Sequence, residues 1–136
     1  MVVAGLMAGR MGAEGSHQVV EDLAAQVAKR FSLSVVAITL RENPLVWKNS
    51  WTAIAHQNGK VFRTRTYEVE IVDRLGAGDS FAAGLIHGLL EGDVQRGLDF
   101  GVAASALKHS IPGDFDWITR EEVENLLKGP GLRISR

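Results

Sequence analysis

Residues 71–90 read Ile-Val-Asp-Arg-Leu-Gly-Ala-Gly-Asp-Ser-Phe-Ala-Ala-Gly-Leu-Ile-His-Gly-Leu-Leu, and no other stretch so narrows what this chain can fold into. An apolar run stops at Asp73, a glycine-rich turn passes through Gly76, Ala77 and Gly78, and Asp79 opens an apolar helix. Strand, turn, helix is the local geometry that follows. Glycine lacks a Cβ, so such a turn bends tightly and brings backbone N–H groups close to a bound anion. The first N–H groups of the helix have no intrahelical partner, and the helix dipole adds partial positive charge at the same end. The stretch is a candidate phosphate cradle with an acid beside it. An acid and an anion site suit one another when they have separate tasks, as in phosphoryl transfer.

Two common phosphate motifs do not fit. A Walker A loop ends in Gly-Lys-Ser/Thr, a tripeptide this chain lacks. A dinucleotide fingerprint needs G-x-G-x-x-G, whereas Gly76 and Gly78 are followed by Phe81, with the next glycine at Gly84. The remaining pattern, Asp73-Arg74-Leu75-Gly76-Ala77-Gly78-Asp79, resembles the Asp-Thr-x-Gly-Ala-Gly-Asp signature of the ribokinase-like, or phosphofructokinase-B, carbohydrate kinases, with Arg74 in place of the usual threonine. Two further segments, Ile38-Thr39-Leu40-Arg41-Glu42 and Lys108-His109-Ser110-Ile111-Pro112-Gly113-Asp114-Phe115, together with Arg74, look like the 2-keto-3-deoxygluconate kinase branch. The resemblance runs from about Glu21 to the C-terminus and covers the family's C-terminal half.

Composition bounds the alternatives. A chain of 136 residues, 46% apolar and 23% charged, is long and apolar enough for one globular domain with a core. A formal net charge of −1, with no Lys/Arg cluster on a would-be helix, argues against nucleic acid as a partner. Cysteine is absent, which removes disulfides, thiolate metal sites and thiol nucleophiles together. Residues 1–15 are too short and interrupted to span a bilayer and lack the basic start of a signal peptide. The expected place is the cytoplasm, without a membrane partner. His17, His56 and His87 have no carboxylate or histidine at a convincing ligand spacing, so no metal-ligating residues are expected.

Taken in order, residues 1–13 read as an irregular segment and residues 14–136 as the folded portion. Val20, Leu23, Ala24, Val27, Ala28 and Phe31 have the spacing of one helical face. Residues 34–40 are a continuous β-branched run suited to a parallel strand covered on both faces, which puts residues 39–44 just past its C-terminal end. Helix followed by buried strand implies an α/β fold. Residues 50–57 and 60–66 flank Asn58-Gly59, the signal for a two-residue hairpin turn, and Trp51, Phe62 and Tyr67 read as packing residues. The helix after the glycine turn runs to Leu90 with Gly92 as its stop, and Asp93 caps a helix over 94–108 that is apolar on most sides. Thr119 and Glu122 form a capping box, and Gly129-Pro130 ends the last helix. This end resembles the end of a parent enzyme.

The resemblance implies the C-terminal part of a ribokinase-like three-layer sandwich carrying a β-hairpin. It implies an ATP-dependent sugar-acid kinase, with Asp79 as the base and the N–H groups of Gly76, Ala77 and Gly78 as the anion hole. By position Thr39, Arg41, Ala104, Lys108 and Gly113 would border the nucleotide, and Arg74 and Asp114 are candidates for the sugar. For Arg74 an ion pair with Asp73 or Glu70, and for Asp114 a simple turn role, stand as equal alternatives. His109 reads as a helix-end histidine bonded to the last carbonyls rather than as a catalytic group. ATP and Mg²⁺ are the implied cofactors, and some family members use a monovalent cation beside the glycine loop. The family's N-terminal sugar-binding region, its lid and its Asn-x-x-Glu segment have no counterpart in this sequence. An unpaired sheet edge then favours a homo-oligomer. A nucleotide-binding module without catalysis, a fructose or ribose kinase, and a purely structural α/β domain are the competing readings.

Overall fold

The computed structural model describes residues 2–7, 13–45 and 47–129. Strand β1 (Val2–Met7) leads through helix α1 (Ala13–Phe31) to β2 (Val35–Leu45), β3 (Lys48–Gln57), β4 (Lys60–Arg63) and β5 (Tyr67–Glu70). Helices α2 (Ala77–Leu90), α3 (Val94–Lys108) and α4 (Arg120–Lys128) complete the chain. The strand order is β1-β2-β3-β4, with β5 pairing the first half of β3. Three layers result. Val20, Ala24 and Ala28 of α1 pack on Val36, Ile38, Leu40 and Ile54, one face of the sheet. Val35, Ala37, Trp51, Ala53, Ala55 and Val69 point the other way, onto α2 and α3. The three-layer α/β expectation holds.

Three local expectations need correction. Residues 2–7 are not irregular: they form β1, parallel to β2 with Val2 opposite Val36. Its partner lies on the far side of α1, and pairing at that sequence distance leaves no local signature. Residue 1 and residues 8–12 of that segment lie outside the described residues, as do Pro130 and the remaining C-terminal residues. Second, β2 is parallel only to β1; it is antiparallel to β3, so the sheet is mixed. Third, β2 continues to Leu45, so residues 39–44 lie within the strand and not beyond it. Polar residues extend it because β3 offers partners, with Leu40, Arg41 and Glu42 opposite Thr52, Trp51 and Ser50.

The hairpin is as expected. Asn58 and Gly59 have φ of 50° and 80°, the paired left-handed conformations of a type I′ turn. Trp51 and Tyr67 are buried and Phe62 packs against the same core. Strand β4 ends at Arg63, short of Thr66, because the partner of β3 changes from β4 to β5 there.

Helices α2 and α3 form the rigid part of the second layer. The Asp93 carboxylate accepts from Arg96 N at 3.1 Å, and the Thr119–Glu122 capping box opens α4. Phe81, Leu85 and Leu98 are fully buried, each contributing about 1.5–3 kcal/mol of apolar transfer. Between them Gly84 and Gly88 face Gly101 and Gly97, and a Cβ on Gly84 would stand 2.7 Å from the Gly101 Cα. A Cβ on Gly88 would collide with the Gly97 backbone. The two backbones touch, and only glycine permits it. Among the described residues no helix is long and apolar enough to cross a membrane.

This seam predicts a contrast between two alanine substitutions, read by urea denaturation. Gly88→Ala should destabilise the chain by about 1–3 kcal/mol, the usual cost of overpacking. Gly78→Ala, whose Cβ would meet open space within a helix, should be neutral or stabilising. Equal effects at the two positions would contradict the close approach.

Candidate functional site

The glycine turn carries its chain from β5 into α2 under tight constraint. Gly76 is the N-cap, with φ of 75°, a left-handed conformation that favours glycine. Space excludes a side chain there as well, since a Cβ would lie 3.0 Å from the Asp114 carbonyl oxygen and 3.2 Å from Cε of Lys108. Ala77, Gly78 and Asp79 are the first three helical residues, and Ser80 N bonds back to Gly76 O at 2.9 Å. The N–H groups ahead of Ser80 therefore lie at the positive end of the dipole, although that of Ala77 already makes a long bond, 3.4 Å, to Arg74 O. Gly78 and Asp79 are exposed. Ser105 Oγ donates to Ala77 O at 2.7 Å from within the core, fixing the first turn of α2 to α3.

A second loop, residues 111–114, is drawn against this turn. Asp73 links the two, accepting from Leu75 N at 3.0 Å through Oδ1 and from Gly113 N at 2.8 Å through Oδ2. These donors, first Leu75 and then Gly113, hold its carboxyl below the usual carboxylate range. Val72 N and Asp73 N both donate to His109 O, at 2.9 and 3.2 Å. Lys108 is fully buried, and its ammonium donates to Gly113 O at 2.7 Å and Ile111 O at 3.2 Å.

Positive charge collects around the turn. The Arg41 guanidinium is held below its usual range, first by burial and then by the nearby charge of Arg74. Its Nε is buried without a hydrogen-bond partner. His109, at 1% exposure, packs edge-on against Trp51 with ring centroids 4.9 Å apart, and its Nδ1 lies 2.7 Å from Ser105 O. Burial chiefly lowers its pKa; the Ser105 bond opposes this, and Arg41, Arg74 and Lys108 add to the lowering. It is a neutral imidazole whose Nδ1–H donates to the carbonyl, the helix-end role expected for it.

Beyond the first turn of α2 lies a cavity of about 260 Å³, lined among others by Ser80, Gly84, His87, Phe100, Ala104 and Ile118. Ala83, Phe100, Ala104, Ile118 and Val123 give it apolar walls, and Asp116, Thr119 and Arg120 line it too; Ser80 Oγ is buried there without a hydrogen-bond partner, while His87 Nε2 lies 3.7 Å from Glu91 Oε1. A slot with apolar walls and a few polar groups at fixed places suits a flat heteroaromatic group.

The structure gathers most of the residues singled out by sequence. Gly76, Ala77, Gly78, Asp79 and Arg74 share the turn; Gly113 and Asp114 meet it, Lys108 lies behind it, and Ala104 lines the adjoining cavity. Thr39 is different. It sits inside β2 opposite Ala53, only 6% exposed, because the strand runs on past it. Two contributors were not singled out, Asp73 and Ser105. The first had a signal, since an Asp bonding the N–H two residues ahead makes an Asx turn. Ser105 had none, because its partner Ala77 is distant in sequence.

Comparison with known proteins places this geometry. The model of the pfkB family of carbohydrate kinases matches residues 4–115. The 2-dehydro-3-deoxygalactonokinase of Haloferax volcanii is 32% identical over 115 residues, 84% of this chain and 34% of the relative. The crystal structure of 2-dehydro-3-deoxygluconokinase from Thermotoga maritima is 43% identical with a TM-score of 0.78, over 82% of this chain and 35% of that one. Ribokinase from the same organism is 27% identical with a TM-score of 0.64, over 81% and 35% of the two chains. The fold is part of the ribokinase fold. The chain spans about a third of the length of these relatives.

The buried His109 sets a pH dependence whose sign follows from linkage. Its folded pKa lies below the unfolded value of about 6.5, so both states are neutral above that value and the full stability is present. As pH falls below about 6.5 the unfolded chain binds a proton that the folded chain refuses, and stability declines. Denaturation midpoints should therefore drop between about pH 7 and pH 5, and His109→Gln should flatten that slope. An unchanged slope in the variant would remove His109 as the titrating group.

Proposed function

The chain belongs to the pfkB family of carbohydrate kinases, and on that premise we propose that it carries the phosphoryl-transfer end of an ATP-dependent kinase for 2-keto-3-deoxygluconate. The observation that carries the proposal is the exposed Asp79 in the first turn of α2, one residue beyond the N–H groups of a glycine turn. A carboxylate and an anion hole on one helical turn can serve the two ends of one transfer. Asp79 accepts the proton of a sugar hydroxyl as the hydroxyl oxygen attacks the γ-phosphorus, the bond to the β–γ bridging oxygen breaks, and ADP departs. The N–H groups of Gly76, Ala77 and Gly78 stabilise the charge on the transferring phosphoryl group.

The remaining residues take roles by position. Arg41 and Arg74 supply guanidinium groups that suit phosphate oxygens or a sugar carboxylate, and the burial that lowers Arg41 favours an anion as its partner. Ala104 and the cavity beside it receive the base, while Lys108 and Gly113 border the nucleotide through the 111–114 loop. Thr39, two residues before Arg41 in β2 and only 6% exposed, has little surface to offer the nucleotide. Asp114, whose side chain is exposed, would meet a sugar hydroxyl. Mg²⁺, when bound, neutralises charge on the triphosphate. The keto-deoxy sugar acid is favoured over ribose by the greater likeness to the T. maritima 2-dehydro-3-deoxygluconokinase than to its ribokinase.

Calorimetric titration with ATP·Mg²⁺, together with a coupled ADP-release assay on 2-keto-3-deoxygluconate, tests the reading. Wild type and Asp79→Asn should bind nucleotide alike, with sugar-dependent turnover about 10²–10⁴-fold lower in the variant. Binding with no turnover in either form would favour a non-catalytic nucleotide module. Arg41→Ala should weaken nucleotide binding by about 10- to 100-fold if its guanidinium meets phosphate. Unchanged affinity would assign Arg41 elsewhere.

A further inference from the structure

A fully buried lysine is rare unless its charge is met, and Lys108 is fully buried. What meets its charge is unusual. The ammonium donates to two backbone carbonyl oxygens, Gly113 O at 2.7 Å and Ile111 O at 3.2 Å, and it contributes to holding Asp73 below the usual carboxylate range. Its stem lies against the glycine turn, with Cε 3.2 Å from where a Gly76 Cβ would be. Carbonyl oxygens with a carboxylate close by are the hard donor set that holds K⁺ or NH₄⁺. Here the charge arrives covalently, from the last residue of α3.

We propose that Lys108 is a tethered cation: its ammonium stands where a free monovalent ion would otherwise lock residues 111–114 onto the glycine turn, so the site assembles without one. The oxygens that a free ion of the kind the family resemblance implies would draw on already have partners. The Gly113 and Ile111 carbonyls are engaged by Lys108, and both Asp73 oxygens already accept N–H groups, from Leu75 and Gly113. Lys108 is a positioning residue. The loop it holds brings the Asp114 carbonyl against Gly76, and so bears on the orientation of the anion hole. A tether has a further consequence. An ion equilibrates with solvent, and its effect varies with its concentration; a lysine is present at every turnover.

The test compares thermal unfolding in choline, Na⁺, K⁺ and NH₄⁺ chlorides at one ionic strength, without nucleotide. The wild type should show the same Tm in all four; a rise confined to K⁺ or NH₄⁺ would overturn the proposal by itself, whatever the variants do. Lys108→Ala should lower Tm by roughly 5–10 °C in choline and Na⁺ and recover part of the loss in K⁺ or NH₄⁺. Lys108→Met, which refills the stem but carries no charge, should lose stability without that recovery. A Lys108→Ala variant as stable as the wild type, or one that no cation restores selectively, would reduce Lys108 to packing. The proposal leans on the kinase reading only for its effect on nucleotide, so wild-type ATP·Mg²⁺ affinity is compared in Na⁺ and K⁺ as a separate arm. Agreement within about two-fold supports the tether, a marked K⁺ preference overturns it, and no binding in either salt removes the kinase reading while the unfolding results still decide Lys108.

Discussion

The backbone contact between α2 and α3 governs the geometry of the site. Gly84 and Gly88 lie against Gly101 and Gly97 so closely that no Cβ could intervene, while Phe81, Leu85 and Leu98 close the core around them. Because the helices run antiparallel through a short connection, the first turn of α2 comes to rest beside the last turns of α3. Several of the ties that shape the glycine turn are made there. Ser105 holds Ala77, the His109 carbonyl receives Val72 and Asp73, and Lys108 reaches under Gly76. A wider spacing of the helices would break these contacts together, since each spans less than 3.5 Å.

That convergence has an electrostatic cost. Arg41, Arg74, Lys108 and the positive end of α2 are brought into one region, and the His109 imidazole, its pKa lowered chiefly by burial, is lowered further by the three side-chain charges. Asp73 offsets part of this charge, but its oxygens are committed to backbone donors. The region is therefore poised for a polyanion, which would relieve the repulsion that Arg41 now feels from Arg74. An exposed carboxylate, that of Asp79, stands at the same helix end.

Much of this was legible in residues close together in the chain. The Asn58-Gly59 hairpin, the Asp93 cap, the Thr119–Glu122 capping box and the end of α2 near Gly92 are each set by a few neighbouring residues, and the structure has them all. The glycine turn with Asp79 was equally local. What escaped depended on partners far away in sequence. The strand Val2–Met7 pairs with Val36–Arg41 across a whole helix, and Thr39 lies inside β2 because β3 extends the pairing. Propensity and periodicity carry no record of such pairings.

By itself the sequence determined that this protein would present a glycine-bounded helix N-terminus with an acid in its first turn, on an α/β frame, because turn conformation, capping and amphipathic spacing act over a few residues. Only the tertiary structure decided what that turn rests upon. The burial of Lys108 beneath Gly76, the two-pronged Asp73 bond that joins Leu75 to Gly113, and the neutral His109 against Trp51 all require elements distant in sequence to meet. A side chain's charge state and partners depend on the solvent and dipoles around it, and those are set when the layers close.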